Sequence, residues 1–320
     1  MMDISQFKPV DFAAVAPPKR LEEIRLGEKI QQWEGSKIPE GSFVLLGVPD
    51  DRGVALSRGR VGAAGGPPAF RKEFYRLTLG VRGDLEKTAI WDVGDLKIAG
   101  TQEETYLGLR EAVREILQQG AFPILIGGGH DLSYGSLSGF LDVYPDGGVL
   151  NVDPHFDCRL PEGEGGYSSG TAFRHLLEDG ILKGPRLLEF GFQTQCNARP
   201  HFAYLKERRA HLISWDELST IDIASRFRQV SEKIAQSCEA LALTFDLDCM
   251  DVSQAPGVSA INPYGLMVPE ALGLLRVAAE NRKLKYLDLM ELNPACDENH
   301  RTARLAALLV FSFLVHRSKF

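Results

Sequence analysis

The sequence predicts an α/β fold in which helices cover both faces of a mostly parallel central sheet, a three-layer α/β/α sandwich. Three observations carry this: short apolar runs of strand length recur along the chain, helix-length amphipathic stretches separate them, and the chemically distinctive residues follow the strand ends. In open parallel sheets ligands bind outside the carboxyl ends of the strands. The 320 residues, 44% hydrophobic and 25% charged, have the composition of a globular protein. No repeat, low-complexity tract or compositional break divides them, so residues 41–320 read as one domain and residues 1–40 as an N-terminal extension packed on it.

Taken in order, the extension is irregular up to Pro17-Pro18, after which the apolar spacing of residues 21–33 predicts a surface helix. Residues 42–48 are the first strand, an unbroken apolar run suited to a sheet covered on both faces. Glycine-rich loops over 49–54 and 59–67 lead to a helix over 68–77 with proline in its first turn. Residues 89–94 form a strand, and 103–119 an amphipathic helix with Leu107, Val113, Ile116 and Leu117 on its apolar side. Further strands are predicted at 122–126, 148–152, 186–191, 211–214, 241–245 and 285–291, with helices over 172–179, 224–240 and 301–316. The loop 161–171 is flexible by its glycines and polar at its tip.

A net charge of −7, with no Lys/Arg-rich run, argues against a nucleic-acid partner. The amino terminus holds an acid and no apolar core, so it is no secretory or transit signal. The longest apolar run, residues 305–315, is too short to cross a bilayer, and no membrane association is expected. Five cysteines without a C-x-x-C pair support neither a disulfide framework nor a zinc ribbon and point to a reducing cytoplasm. Cys158 and Cys249 directly follow acidic residues discussed below and are read as small core residues facing away from them. The glycines at 59–67 and 127–129 outline a phosphate cradle, but neither dinucleotide nor P-loop spacing is present, and nucleotide binding is set aside.

The chemistry concentrates at three strand ends. Asp153, His155 and Asp157 recur at every second position after the strand 148–152, a spacing that on an extended backbone turns them one way. Asp246 and Asp248 follow the strand 241–245 with the same spacing, and Gly127-Gly-Gly-His130-Asp131 follows the strand 122–126. Two histidines and four aspartates are the wrong mixture for a closed structural zinc site. Oxygen-rich ligation with two imidazoles suits Mn²⁺, and six ligands exceed the need of one catalytic ion with an open position. A two-metal centre with two Mn²⁺ per chain is the expectation.

Gly127-Gly-Gly-His-Asp131, Asp153-Pro-His-Phe-Asp157 and Phe245-Asp-Leu-Asp-Cys-Met-Asp251 resemble the signatures of the ureohydrolase family, which includes arginase, agmatinase and formimidoylglutamase. Similarity runs from about residue 41 to the end and includes Met290-Glu-Leu-Asn-Pro294. The resemblance implies the arginase-like fold, two Mn²⁺ ions bridged by hydroxide, and hydrolysis of a C–N bond in an amidine or guanidine. Carried over position by position, the metal ligands are His130, Asp153, His155, Asp157, Asp246 and Asp248. Asp157 is expected to accept the proton of the attacking water, and Glu291 to hold the amidinium by a charge-assisted hydrogen bond.

Within the family, Ser168-Ser-Gly-Thr-Ala-Phe173 is similar to the Ser-Gly-Thr-Pro-Phe loop of formimidoylglutamases, with Ala172 in place of proline. Gly191-Phe-Gln193 with Asn197, and Gly59-Arg-Val-Gly-Ala63, point to the same branch. Ser169, Gly170 and Thr171 are therefore expected at the substrate, and Arg159 to pair with a substrate carboxylate through its planar fork. Pro154 and Val252 depart from the family pattern without removing a ligand. His175 falls within a predicted helix and is given no catalytic role, and His201, His211, His300 and His316, lacking any partner pattern, read as ordinary surface or core residues. The expected activity is hydrolysis of N-formimino-L-glutamate to L-glutamate and formamide, in histidine breakdown. Agmatinase or another guanidino-acid hydrolase is the alternative, and a noncatalytic scaffold is disfavoured because clustered carboxylates need cations to offset their repulsion. A homo-oligomer is compatible with the sequence, which does not specify one.

Overall fold

The computed structural model describes residues 2–162, 166–218 and 221–320, so the tip of the loop expected to be flexible and polar, residues 163–165, lies outside the described residues. The strands are β1 (Phe7–Lys8), β2 (Gln31–Gln32), β3 (Phe43–Val48), β4 (Ile90–Leu96), β5 (Phe122–Gly127), β6 (Gly148–Val152), β7 (Leu187–Phe192), β8 (His211–Ser214), β9 (Leu241–Asp246) and β10 (Leu284–Met290). The helices are α1 (Phe12–Val15), α2 (Arg52–Leu56), α3 (Gly66–Phe74), α4 (Gln102–Gln118), α5 (Leu132–Val143), α6 (Ala172–Glu178), α7 (Arg199–Glu207), α8 (Trp215–Leu218), α9 (Ile223–Ala235), α10 (Val268–Glu280) and α11 (Arg301–Arg317). The strands form one sheet in the order β1-β4-β3-β5-β10-β9-β6-β7-β8, with β2 also on β4. Among the described strands, only β1 runs antiparallel to its neighbour.

The apolar strands are buried on both faces because successive side chains enter opposite layers. Leu45, Ile124, Leu243 and Leu287 join the core under α3, α9, α10 and α11. Their neighbours Val44, Leu125, Ala242 and Tyr286 join the core under α4, α5 and α6. This is the three-layer sandwich that the sequence predicted.

Two helix predictions need correction. Residues 21–33 form a short 3-10 turn, Leu26–Glu28, and the strand β2 instead of a surface helix. Here tertiary contacts override periodicity: the N–H groups of Leu26 and Gly27 donate to the carbonyls of Leu77 and Tyr75 at 2.8 and 3.1 Å. Leu26 and Trp33 are buried while Leu21 is 96% exposed. In α4, closed at its start by a Thr101–Glu104 capping box, the inward face is Tyr106, Leu109, Val113 and Ile116, and Leu107 lies outside at 63% exposure.

Candidate metal centre and substrate cleft

Four adjacent strands, β5, β10, β9 and β6, bring residues distant in sequence to one end of the sheet. His130 follows β5, Glu291 follows β10, Asp246 closes β9 and Asp153 follows β6. The approach to His130 demands glycine, since a Cβ at Gly128 would lie 1.8 Å from the Asp50 carbonyl oxygen. His130 is completely buried, and its Nε2 sits 2.9 Å from Thr244 Oγ1. Nδ1 therefore turns to Asp153, Asp157 and Asp246, whose carboxylate oxygens lie at 3.0, 2.8 and 3.2 Å.

The ligand-type residues do not converge through strand alternation, as their spacing suggested. β6 stops at Val152, the His155 N–H donates to Asp153 Oδ1 at 2.7 Å, and Asp157 has a left-handed φ of 41°. A tight turn, not a pleat, thus places the three side chains. Asp246 and Asp248 behave alike: the Asp248 N–H donates to Asp246 Oδ1 at 2.7 Å as the chain enters a 3-10 turn. Asn197 fixes the first turn from outside. Its Oδ1 accepts the Phe156 N–H at 2.9 Å, and its Nδ2 donates to the carbonyls of Pro154 and Gln193, both at 2.8 Å. Gln193 N–H adds a bond to the Pro154 carbonyl at 2.9 Å. Proline at 154 is tolerated because this turn uses the residue's carbonyl and asks nothing of its nitrogen.

Two sets of donor atoms result, each drawn together within 4.8 Å: His130, Asp153, Asp157 and Asp246, and beside them His155, Asp246 and Asp248. Asp246 is common to both, and Asp153 Oδ1 reaches within 3.3 Å of His155 Nδ1. Burial and the charge of Asp153 push the Asp246 carboxyl up to about 7. Burial and the charges of Asp246 and Glu291 raise Asp248 well above the carboxylate range. Burial opposes charging of His130, yet the carboxylates around it outweigh that and hold its pKa well above the ordinary value. Asp153 is held low, its burial more than offset by His130 and His155. His130 Nδ1, Asp153 Oδ2 and Glu291 Oε2 are buried without a well-directed hydrogen bond. Buried carboxylates crowded on imidazole nitrogens, with donor atoms unspent, fit divalent cations with oxygen and nitrogen preference.

Glu291 lies beside this cluster in a left-handed conformation, φ 68°, with Oε1 accepting the His130 N–H at 2.6 Å. Arg159 is exposed at the mouth, and among the described residues its guanidinium has no carboxylate partner. Its stem crosses Gly170, where a Cβ would come within 2.9 Å of Arg159 Cδ, and its N–H donates to the Gly170 carbonyl at 2.8 Å. Ser169 Oγ donates to Ser57 Oγ at 2.8 Å, while the buried Thr171 hydroxyl bonds within its own loop, to Ser168 and Gly166. His175 is in α6 and packs against Tyr167 with the rings tilted and their centroids 4.4 Å apart. Cys158 and Cys249 are buried, although the charges of Asp246, Asp153 and Asp248 reach Cys249 and, after burial itself, raise its pKa. A cavity of about 220 Å³ beside the cluster is lined by His155, Asp157, Arg159, Cys196, Asn197 and His201, among others. Sequence reasoning passed over Thr244 and read His201 as an ordinary surface or core residue. Thr244 stands two residues before Asp246 on the same pleat, a readable signal, whereas nothing in the sequence marked His201.

The Arginase family model matches residues 41–316. The formimidoylglutamase of Ralstonia nicotianae is 33% identical over 303 residues, 90% of each chain. That of Geobacillus kaustophilus is 33% identical over 281 residues, 87% of this chain and 84% of the relative. Among solved structures, Trypanosoma cruzi formiminoglutamase with Mn²⁺₂ superposes with a TM-score of 0.83 at 31% identity, covering 92% of this chain and 98% of that one. The formimidoylglutamase of Bacillus subtilis gives a TM-score of 0.87 at 24% identity over 93% of both chains, a likeness of fold.

Proposed function

The chain belongs to the arginase family, and on that premise we propose that it is a binuclear manganese hydrolase acting on N-formimino-L-glutamate. Support comes from relatives named formimidoylglutamase along nearly their whole length and from a related structure with Mn²⁺. The observation that carries the reading to this substrate is Arg159, a guanidinium with no carboxylate partner among the described residues, lining the cavity that His155 and Asp157 also line. A guanidinium fork matches a carboxylate in bidentate geometry, and the substrate has two carboxylates.

His130, Asp153, Asp157 and Asp246 would hold one Mn²⁺, and His155, Asp246 and Asp248 the other. Bound there, the ions supply Lewis acidity and make a water acidic enough to react near neutral pH. Thr244 keeps His130 Nδ1 turned inward by occupying Nε2 at 2.9 Å. Glu291 holds the amidinium with its unspent Oε2 and so orients the amidine carbon. Water oxygen bonds to that carbon, the bond to the glutamate nitrogen breaks, and Asp157 carries the proton that the leaving amine needs. Gly170 supports the Arg159 stem, and Ser169 and Thr171 shape the loop above it.

The small-molecule substrate excludes no larger partner, but no helix of the described residues is long and apolar enough to cross a membrane. Five free cysteines support residence in a reducing cytoplasm. The deciding experiment is a panel of formimino-glutamate, agmatine and arginine with Mn²⁺, scored for release of glutamate, putrescine and urea. Glutamate release is expected; preferential putrescine or urea release overturns the substrate assignment and leaves the family unaffected.

A further inference from the structure

Two basic side chains, not one, line the cavity beside the metal cluster. His201 projects into it from the first turn of α7, half-buried, on the same wall as Arg159. Neither ring nitrogen has a hydrogen-bond partner among the described residues. Arg174, the other cation near it, is already engaged: its Nε lies 2.6 Å from Glu178 Oε1 and its guanidinium sits 3.7 Å over the Tyr204 ring. Burial and the charges of Arg159 and Arg174 push the His201 pKa down, and no acid is among the groups acting on it within the described residues. The His201 imidazole and the Arg159 guanidinium, neither paired with an acid among the described residues, are both open to donate to an anionic ligand in the cavity.

We infer that His201 is a specificity-determining residue that receives the side-chain carboxylate of a dianionic amino-acid amidine, while Arg159 receives the α-carboxylate. The assignment rests on the substrate class proposed above. Arg159 lies two residues beyond Asp157, the group assigned to carry the proton at the reacting amidine, and the α-carboxylate is the carboxylate bonded closest to that amidine. His201 reaches the cavity from α7, a different element from the turn that carries His155, Asp157 and Arg159. A chain with one carboxylate would leave His201 unmet, so the pair selects glutamate-like substrates over monoanionic ones by a missing hydrogen bond.

The test compares N-formimino-L-glutamate with N-formimino-L-norvaline, which has the same carbon skeleton but lacks the side-chain carboxylate. His201→Phe keeps the ring volume and removes both ring nitrogens. It is expected to lower kcat/KM for formimino-glutamate on the order of tenfold, mainly through KM, and to leave the norvaline analogue within about twofold. His201→Gln, which restores a donor, should recover part of the loss, and Mn²⁺ content should equal that of the wild type in both. Equal losses on both substrates, or no loss on either, overturn the inference while wild-type turnover of formimino-glutamate keeps the proposed function. Failure of the wild type to turn over formimino-glutamate overturns the proposed function itself.

Discussion

Arg159 and Asp157 stand two residues apart after β6 yet are assigned different tasks, and single substitutions separate them. Arg159→Lys keeps the charge and loses the planar fork, and Arg159→Ala loses both, so formimino-glutamate use should fall in both, further in Ala. Loss of a hydrogen bond to a charged group predicts roughly a ten- to hundredfold drop in kcat/KM for Ala with metal content unchanged. Agmatine carries no carboxylate, so any residual action on it should be untouched; steady-state kinetics on both substrates checks this. Asp157 has a left-handed φ of 41°, a region that asparagine tolerates better than most residues. Asp157→Asn should therefore fold normally and lose turnover severely even at full Mn²⁺ occupancy, because an amide cannot take the proton. An unchanged rate at measured full occupancy would move the proton-accepting role to another group.

At the level of elements, the strand ends are the functional units and the turns after them do the aiming. Asn197 lies outside the cluster but makes three hydrogen bonds, two to the turn carrying His155 and Asp157 and one to Gln193. Asn197→Ala should cost about 1–3 kcal/mol in urea unfolding and weaken Mn²⁺ binding, measured by titration, more than it changes the KM of the loaded enzyme. The sequence carried the strands well because each core strand is apolar on both faces, and it carried the ligand positions because Asp and His are rare in such runs. It misread how those ligands converge, since period-two spacing after β6 suits a strand and a turn equally, and only the bond from His155 N–H to Asp153 Oδ1 decides between them. Residues 21–33 failed for the same kind of reason: the backbone bonds to Tyr75 and Leu77 that displace the helix join segments some fifty residues apart. His201 was invisible because its meaning depends on α7 starting beside Arg159, which no local pattern states.

For the whole molecule, the cluster is a liability that cations relieve, and pH reveals its size. In metal-free protein Asp246 titrates at about 7 against an ordinary 3.8, so the folded state keeps a proton that the unfolded chain releases. That contribution to stability is complete below the ordinary value and is lost as pH rises toward 7. His130 has the same sign: held well above its ordinary 6.5, it contributes fully below 6.5 and loses its contribution as pH climbs through the folded pKa. Asp153, depressed below 3.8, acts oppositely, but only in acid. Between about pH 5 and 8 the raised groups govern, Asp248 and His155 adding to Asp246 and His130 with the same sign, so urea midpoints of chelator-treated protein should fall across that range. Mn²⁺ takes the place of those protons, binds more tightly as pH rises, and should flatten or reverse the slope. Unfolding series run with chelator and with saturating Mn²⁺ measure both arms. If the chelated protein instead grew more stable from about pH 5 to 8, the buried groups would be ionised without their ions, and the cluster would not depend on cations for its charge balance.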